Sequence, residues 1–144
     1  MIARGSSTWS GDWHRGSGTI ATSRPTVPPT PFSYGSRFDD EAGASPEELF
    51  AAAYAGCLNQ AVANVLGWGN FVAESIETAV EFEVELGVRG GQPGTVRIAL
   101  KAVVPGIRSD QFAALTTVAR DGCLLSRMLR DTPEMTAELV GASE

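Results

Sequence analysis

Cys57 and Cys123 are the only thiols in this 144-residue chain. A deprotonated thiol is a nucleophile, a metal ligand or half of a redox couple, so these two positions are the first candidates for chemistry. Cys57 lies among Ala53, Ala55, Gly56 and Ala61, small neighbours that let another segment approach closely. The same setting suits an inert cysteine used as a small hydrophobe. Cys123 follows Gly122 and opens a short expected helix over Leu124, Leu125, Met128 and Leu129. Backbone N–H groups and the helix dipole would stabilise a thiolate there, and the alternative is a plain cap residue. Two charged residues stand as possible activators. Arg37 precedes the acidic run Asp39, Asp40 and Glu41, which reads equally as a surface ion pair. Glu47 falls in a first helical turn, where the dipole alone favours a carboxylate.

Other chemistries are poorly served. A zinc site would have to gather both cysteines, a carboxylate and the single histidine, His14, from distant places, and no metal-ligand spacing is present. His14 reads as a surface turn residue. There is no phosphate-binding loop, no dinucleotide fingerprint and no serine in a nucleophile elbow. The net charge of −6 and the sequence pI of about 4.8 argue against nucleic acid or an anionic membrane surface as partner. The first ten residues lack the apolar core of a secretory signal. No run approaches the roughly 18 consecutive apolar residues of a membrane span. The expected compartment is the cytoplasm, where two cysteines are reduced thiols rather than a structural bridge.

The elements that must carry these residues follow from local pattern. Ser6–Thr22, glycine-rich with Trp9, Trp13 and Ile20, predicts a strand, a turn and a second strand, and Phe32–Phe38 predicts a third. Ser23–Pro31 holds four of the eight prolines and reads as a loop inside one domain. Ser45, Pro46 and Glu48 form a capping-box start for a long helix through Leu49, Tyr54, Cys57, Val62 and Leu66, closed by Gly67 and Gly69. That helix is apolar around most of its circumference, which predicts burial on nearly all sides and, in so small a chain, cover from a second subunit. Ile76–Leu86 alternates with glutamates and Val96–Leu100 with Arg97 and Lys101, giving a hairpin around a glycine-rich turn at 87–94 with opposite charges facing across it. A second helix from Ser109 or Asp110 to Gly122, the short helix at Cys123 and a last strand over Met135–Val140 complete an α+β chain with an antiparallel or mixed sheet.

Taken together, these residues resemble the OsmC/Ohr family of peroxiredoxin-like hydroperoxide reductases, closest to its OsmC branch. The resemblance runs over nearly the whole chain. It is carried by Trp9, Gly11, Asp12, Gly16, Gly18 and Thr19, then Ser36-Arg37-Phe38, then Ser45-Pro46-Glu47-Glu48-Leu49 and the alanine-rich stretch into Gly56-Cys57. Val104-Pro105-Gly106-Ile107 and Gly122-Cys123 with Ser126 extend it to the C-terminal part. It implies one OsmC-like domain over 1–144 and an intertwined homodimer with active sites at the subunit interface. It assigns Cys57 as the peroxidatic cysteine, Cys123 as the resolving cysteine, Arg37 as the activating arginine and Glu47 as its carboxylate partner. Two features depart from the family pattern. Leu124 stands where proline usually follows the second cysteine, and Arg15 is a rival to Arg37 because the Ohr branch draws its arginine from nearer the N-terminus.

The implied function is a thiol peroxidase that reduces organic hydroperoxides, and hydrogen peroxide less well, through a Cys57 sulfenic acid and a Cys57–Cys123 disulfide. It would need no cofactor or metal, only an external small-molecule or protein dithiol as reductant. The preference for organic peroxides is expected from the apolar neighbours Phe50, Tyr54 and Leu58. Glu47 and Cys57 are ten residues apart, about 15 Å along a straight helix. Either Arg37 spans that gap, the helix is interrupted, or Glu47 acts across a dimer. Two other functions fit the same fold: a non-enzymatic dimeric binding protein for small apolar ligands, and a redox switch in which oxidation changes a partner interface.

Overall fold

The computed structural model describes residues 1–88 and 90–141. They cluster into two compact units, 1–50 and 51–144.

In the first unit, β1 (Gly5–Ser10), β2 (Ser17–Thr22) and β3 (Thr30–Ser33) form an antiparallel sheet in that order. Asp12 shapes the β1–β2 turn, its side chain accepting the N–H groups of His14 and Arg15. Gly18 is required by close approach, since a Cβ there would lie 1.9 Å from the Thr8 carbonyl oxygen of the paired strand. The strand expected over Phe32–Phe38 stops at Ser33, and α1 (Tyr34–Phe38) follows. The cause is local: the Ser33 hydroxyl accepts the Ser36 N–H while the Ser36 hydroxyl accepts the Ser33 N–H, a reciprocal cap that starts a helix. Trp13, His14, Tyr34 and Phe38 stack in series over this turn, with His14 and Tyr34 ring centres 4.4 Å apart.

The long helix α2 runs unbroken from Pro46 to Trp68. Ser45 caps it by accepting the Glu48 N–H at 3.3 Å. In the second unit, β4 (Ser75–Gly87) and β5 (Gly90–Val103) pair antiparallel, with β6 (Glu134–Leu139) parallel to β5 on its other edge. The hairpin is longer than its sequence suggests. Pairing continues through an irregularity between Phe82 and Val84 to Gly87 opposite Gly90, and Arg89 of the expected turn lies outside the described residues. The opposite charges do meet across the strands: Arg97 reaches Glu81 at 3.0 Å, while Lys101 pairs with Glu138 of β6. Helix α3 spans Ser109–Gly122.

The core of this unit gathers Tyr54, Leu58, Val62, Val65 and Leu66 of α2, the alternating Ile98, Leu100 and Ala102 of β5, and Phe112, Thr116 and Ala119 of α3. The α2 positions recur at helical spacing and define one face, each large apolar side chain contributing about 1.5–3 kcal/mol by leaving water. Within a single chain only that face is buried. Ala53, Gly56, Gln60, Ala63 and Gly67 form an exposed stripe along the same helix. By length and composition alone α2 is apolar enough to cross a membrane. What interrupts its apolar run is Asn59, Gln60 and Asn64.

Candidate active site

Helical spacing puts Tyr54 and Cys57, three residues apart, on the same side of α2. The facing segment is the end of α3 and the turn beyond it. Cys123 does not open a helix as its sequence context suggests. It is the C-cap of α3, its N–H donating to the carbonyls of Ala119 and Arg120, and its extended ψ of 133° ends the helical run. The expected following helix shrinks to a single 3-10 turn, Ser126–Met128, closed by the Met128 N–H donating to the Leu125 carbonyl at 3.1 Å and the Leu129 N–H to the Ser126 carbonyl at 3.2 Å. Cys123 and Ser126 are thus also three residues apart and project together toward α2.

Two rungs join the segments. The sulfurs of Cys57 and Cys123 lie 3.3 Å apart as free thiols sharing a hydrogen bond. A disulfide bond of about 2.05 Å would need an approach of little more than 1 Å. The Tyr54 and Ser126 hydroxyls lie 2.6 Å apart. Cys123 is almost wholly buried, at 2% exposure, while Cys57 is half-buried.

The two thiols are unequal. Burial pushes the Cys57 thiol above its ordinary pKa and the neighbouring Cys123 adds to this, against the pull of the Leu125 and Leu124 N–H groups. Burial also pushes Cys123 upward, but there it is outweighed by the Ser126 N–H, the Cys57 thiol, the Leu125 N–H and the Ser126 hydroxyl, and Cys123 lies below its ordinary value. The amide stabilisation expected for Cys123 is therefore present, but its source is the turn that follows rather than a helix dipole. Because the thiols share one hydrogen bond, the first proton lost belongs to the pair. Burial raises Tyr54, which keeps its hydroxyl proton at neutral pH.

The other two candidates belong to the first unit. Arg37 occupies the last turn of α1, and its partner is Glu47, not the adjacent acidic run. Its Nε and Nη2 donate to the two carboxylate oxygens of Glu47, the Nε contact at 3.3 Å, and the Ser45 hydroxyl adds a donor at 3.0 Å. The guanidinium lies 4.7 Å from the Phe38 ring centre. Burial alone would raise Glu47, but the Arg37 hydrogen bond and the other donors hold its carboxyl below the ordinary range, so the pair is ionised. Arg15 and His14 sit in the exposed β1–β2 turn. Among the described residues no group of three or more His, Cys, Asp and Glu side chains is placed to hold a metal.

The dithiol could be oxidised and reduced in place, and Arg37 is held in an ion pair with Glu47. Sequence reasoning named these four residues. It assigned no role to Ser126, and it placed Tyr54 and Leu58 as walls of a pocket, whereas both are fully buried in the core. The missed signal is the matched spacing of Tyr54 before Cys57 and Ser126 after Cys123.

Residues 38–138 match the family model described as OsmC-like protein. The chain belongs to the OsmC-like family. Over 127 residues it is 32% identical to the peroxiredoxin OsmC of Escherichia coli K12, covering 88% of this chain and 89% of that one. Among solved structures, the OsmC-like protein from Mycoplasma pneumoniae superposes with a TM-score of 0.74 at 8% identity, covering 96% of this chain and 98% of its own. The organic hydroperoxide resistance protein OhrB of Bacillus subtilis superposes with a TM-score of 0.67 at 19% identity, with the same coverage. These likenesses show the OsmC-like fold, the α+β architecture expected from the sequence. The family match takes in Glu47, Cys57 and Cys123 and begins one residue after Arg37.

Proposed function

We propose that this chain is a thiol peroxidase that reduces hydroperoxides, organic ones in preference to hydrogen peroxide, by cycling Cys57 and Cys123 between dithiol and disulfide. The observation that carries the reading is the pair of free sulfurs 3.3 Å apart, brought together from α2 and the end of α3. The names of its relatives, a peroxiredoxin and organic hydroperoxide resistance proteins, support the same activity. The half-buried Cys57 is the peroxidatic residue and the buried Cys123 the resolving one. The preference for organic peroxides draws on the exposed apolar side chain of Leu124 beside Cys123 and on the names of those relatives.

In the first step the Cys57 thiolate attacks one peroxide oxygen. The O–O bond breaks, the alkoxide leaves and is protonated to an alcohol, and the sulfur is oxidised to sulfenic acid. Cys123 then attacks that sulfur as thiolate. An S–S bond forms, the S–O bond breaks, and the departing hydroxide takes up the proton Cys123 gave up. An external dithiol returns both residues to thiols by exchange. Burial works against a Cys57 thiolate, so the reading assigns a cation to it. That role goes to Arg37, permanently charged and oriented by Glu47.

The same proposal makes 1–144 one domain, since the family match runs across the division between the two compact units. It makes the protein a cytoplasmic homodimer with no nucleic-acid or membrane partner and no cofactor beyond the external dithiol. The exposed stripe of small residues along α2, broken only by Gln60, supports a second subunit as its cover.

The test is consumption of cumene hydroperoxide with dithiol in excess. Wild type should turn over, Cys57→Ser should be inert, and Cys123→Ser should react once and stop at sulfenic acid. Activity in Cys57→Ser with none in Cys123→Ser reverses the roles. An inert wild type with both thiols reduced removes the peroxidase reading and leaves a binding protein or redox switch.

A further inference from the structure

We infer that Tyr54 and Ser126 are positioning residues for Cys123, holding the turn that bears it against α2 with its sulfur within reach of Cys57. Tyr54 and Ser126 are each three residues from a cysteine, on opposite segments, so the hydroxyl rung and the sulfur rung are parallel ties between the same two pieces of chain. The turn needs such a tie. It is a single 3-10 turn of three residues, and its tip is loosely packed, with Leu124 and Met128 largely exposed. Tyr54, by contrast, has no exposed surface and sits on the rigid, buried face of α2. A short hydrogen bond from that anchor fixes Ser126, and with it the register of Cys123.

Either hydroxyl of the rung can be its donor. With Tyr54 donating to the Ser126 oxygen, the Ser126 proton is free to turn toward the Cys123 sulfur, where it would stabilise a thiolate more than a thiol. The titratable groups acting on this chain of donors are Cys123, Cys57 of α2 and Arg120 of α3. The consequence lies in the second chemical step, where Cys123 must be a thiolate and must already sit beside the Cys57 sulfenic acid.

This role rests on the peroxidase reading for its place in the reaction, but not for its test. Diamide oxidises a dithiol to a disulfide, itself taking up two electrons and two protons to become a hydrazine. It therefore reports closure of the Cys57–Cys123 pair without any peroxide. With diamide, Ser126→Ala and Tyr54→Phe should each slow closure about tenfold, the loss of one hydrogen bond to a charged or buried group. Both should move the pH midpoint of closure upward. Ser126→Thr, which keeps the hydroxyl, should restore both. With cumene hydroperoxide in stopped flow, the slowing should fall on the disulfide-forming phase rather than on peroxide attack. Closure at the wild-type rate and pH midpoint in both Ser126→Ala and Tyr54→Phe overturns the inference. So does a loss that Ser126→Thr does not repair. If wild type closes with diamide but ignores peroxide, the peroxidase reading fails and this one stands on the diamide data.

Discussion

Gly56 gives a test of the subunit interface whose sign, not only its size, depends on the answer. It lies mid-helix in α2, on the exposed stripe of Ala53, Gly56, Gln60, Ala63 and Gly67, and a Cβ built on it meets nothing within 4 Å. In an isolated chain Gly56→Ala is therefore free of clashes. Replacing a helix-interior glycine by alanine then stabilises by about 0.5–1 kcal/mol, through the lower entropy of the unfolded chain. For a chain of this length that is a rise in Tm of about 1–4 °C. If a second copy of α2 seats on the stripe, the small residues are there to let two backbones approach. An added methyl then overpacks the contact, at a cost of about 1–3 kcal/mol, which outweighs the propensity gain. The expected result is a dimer in wild type, a lower Tm in Gly56→Ala, and a further fall with partial dissociation in Gly56→Leu. Light scattering coupled to gel filtration and a thermal melt at fixed protein concentration read both quantities. A monomeric wild type, or a dimer that survives Gly56→Leu with a raised Tm, refutes the placement of the interface on this stripe.

Three further outcomes follow from the same packing and charges. Arg37→Lys keeps the charge but loses the two-pronged contact with Glu47, and should lower kcat/KM for cumene hydroperoxide at least about tenfold. Unchanged turnover would remove Arg37 from the catalytic set. Glu47 has a folded pKa below its unfolded value of 4.5, so its contribution is full above that pH and is lost as pH falls through the folded value. The stability gap between wild type and Glu47→Gln in urea should therefore be flat from pH 6 down to about 5 and close below about 4.5; a gap that widens in acid contradicts the ion pair. Leu58→Ala empties a fully buried position and should cost about 2–5 kcal/mol in urea unfolding, and a loss under 1 kcal/mol would place Leu58 outside the core.

Where the sequence was read correctly, one local signal was enough. Ser45, Pro46 and Glu48 announce α2 because capping is decided within a single turn, and the helix begins at Pro46. Alternation from Ile76 to Leu86 announces β4 for the same reason, and the two charge sets on the hairpin meet as strand pairing requires. Misreadings arose where two local signals compete. Phe32–Phe38 carries strand-forming aromatics, but Ser33 and Ser36 exchange hydrogen bonds and turn it into a helix after β3. Gly122-Cys123 reads as the end of one helix and the start of another, and only the end is realised, because ψ at Cys123 is extended and three residues later the chain closes a 3-10 turn instead. The parallel pairing of β6 with β5 depends on contacts far apart in the chain, and no residue type along Glu134–Leu139 encodes it.

The candidate site divides along the same line. Residue type marks Cys57 and Cys123, the only thiols, whereas Arg37 and Glu47 stand out only through the family resemblance of the motifs around them, each taken singly suiting an ordinary ion pair or a helix start. Their pairing is a tertiary fact. Cys57 and Cys123 are brought to 3.3 Å by the packing of α2 against the end of α3, and each thiol read singly suits a buried small hydrophobe as well as a nucleophile. Their relative acidity is more remote still from sequence. It turns on burial, on which backbone N–H groups of residues 124–126 face which sulfur, and on the hydrogen bond the two thiols share, which together raise Cys57 and hold Cys123 below its ordinary value. A peroxidatic role for Cys57 therefore needs a contribution that the dithiol does not supply by itself. Arg37, held ionised against Glu47 in the first unit, is the cation to which the peroxidase reading assigns that contribution. If Arg37 is what lowers Cys57, Arg37→Lys will move the pH midpoint of peroxide attack upward, and an unmoved midpoint removes Arg37 from that role.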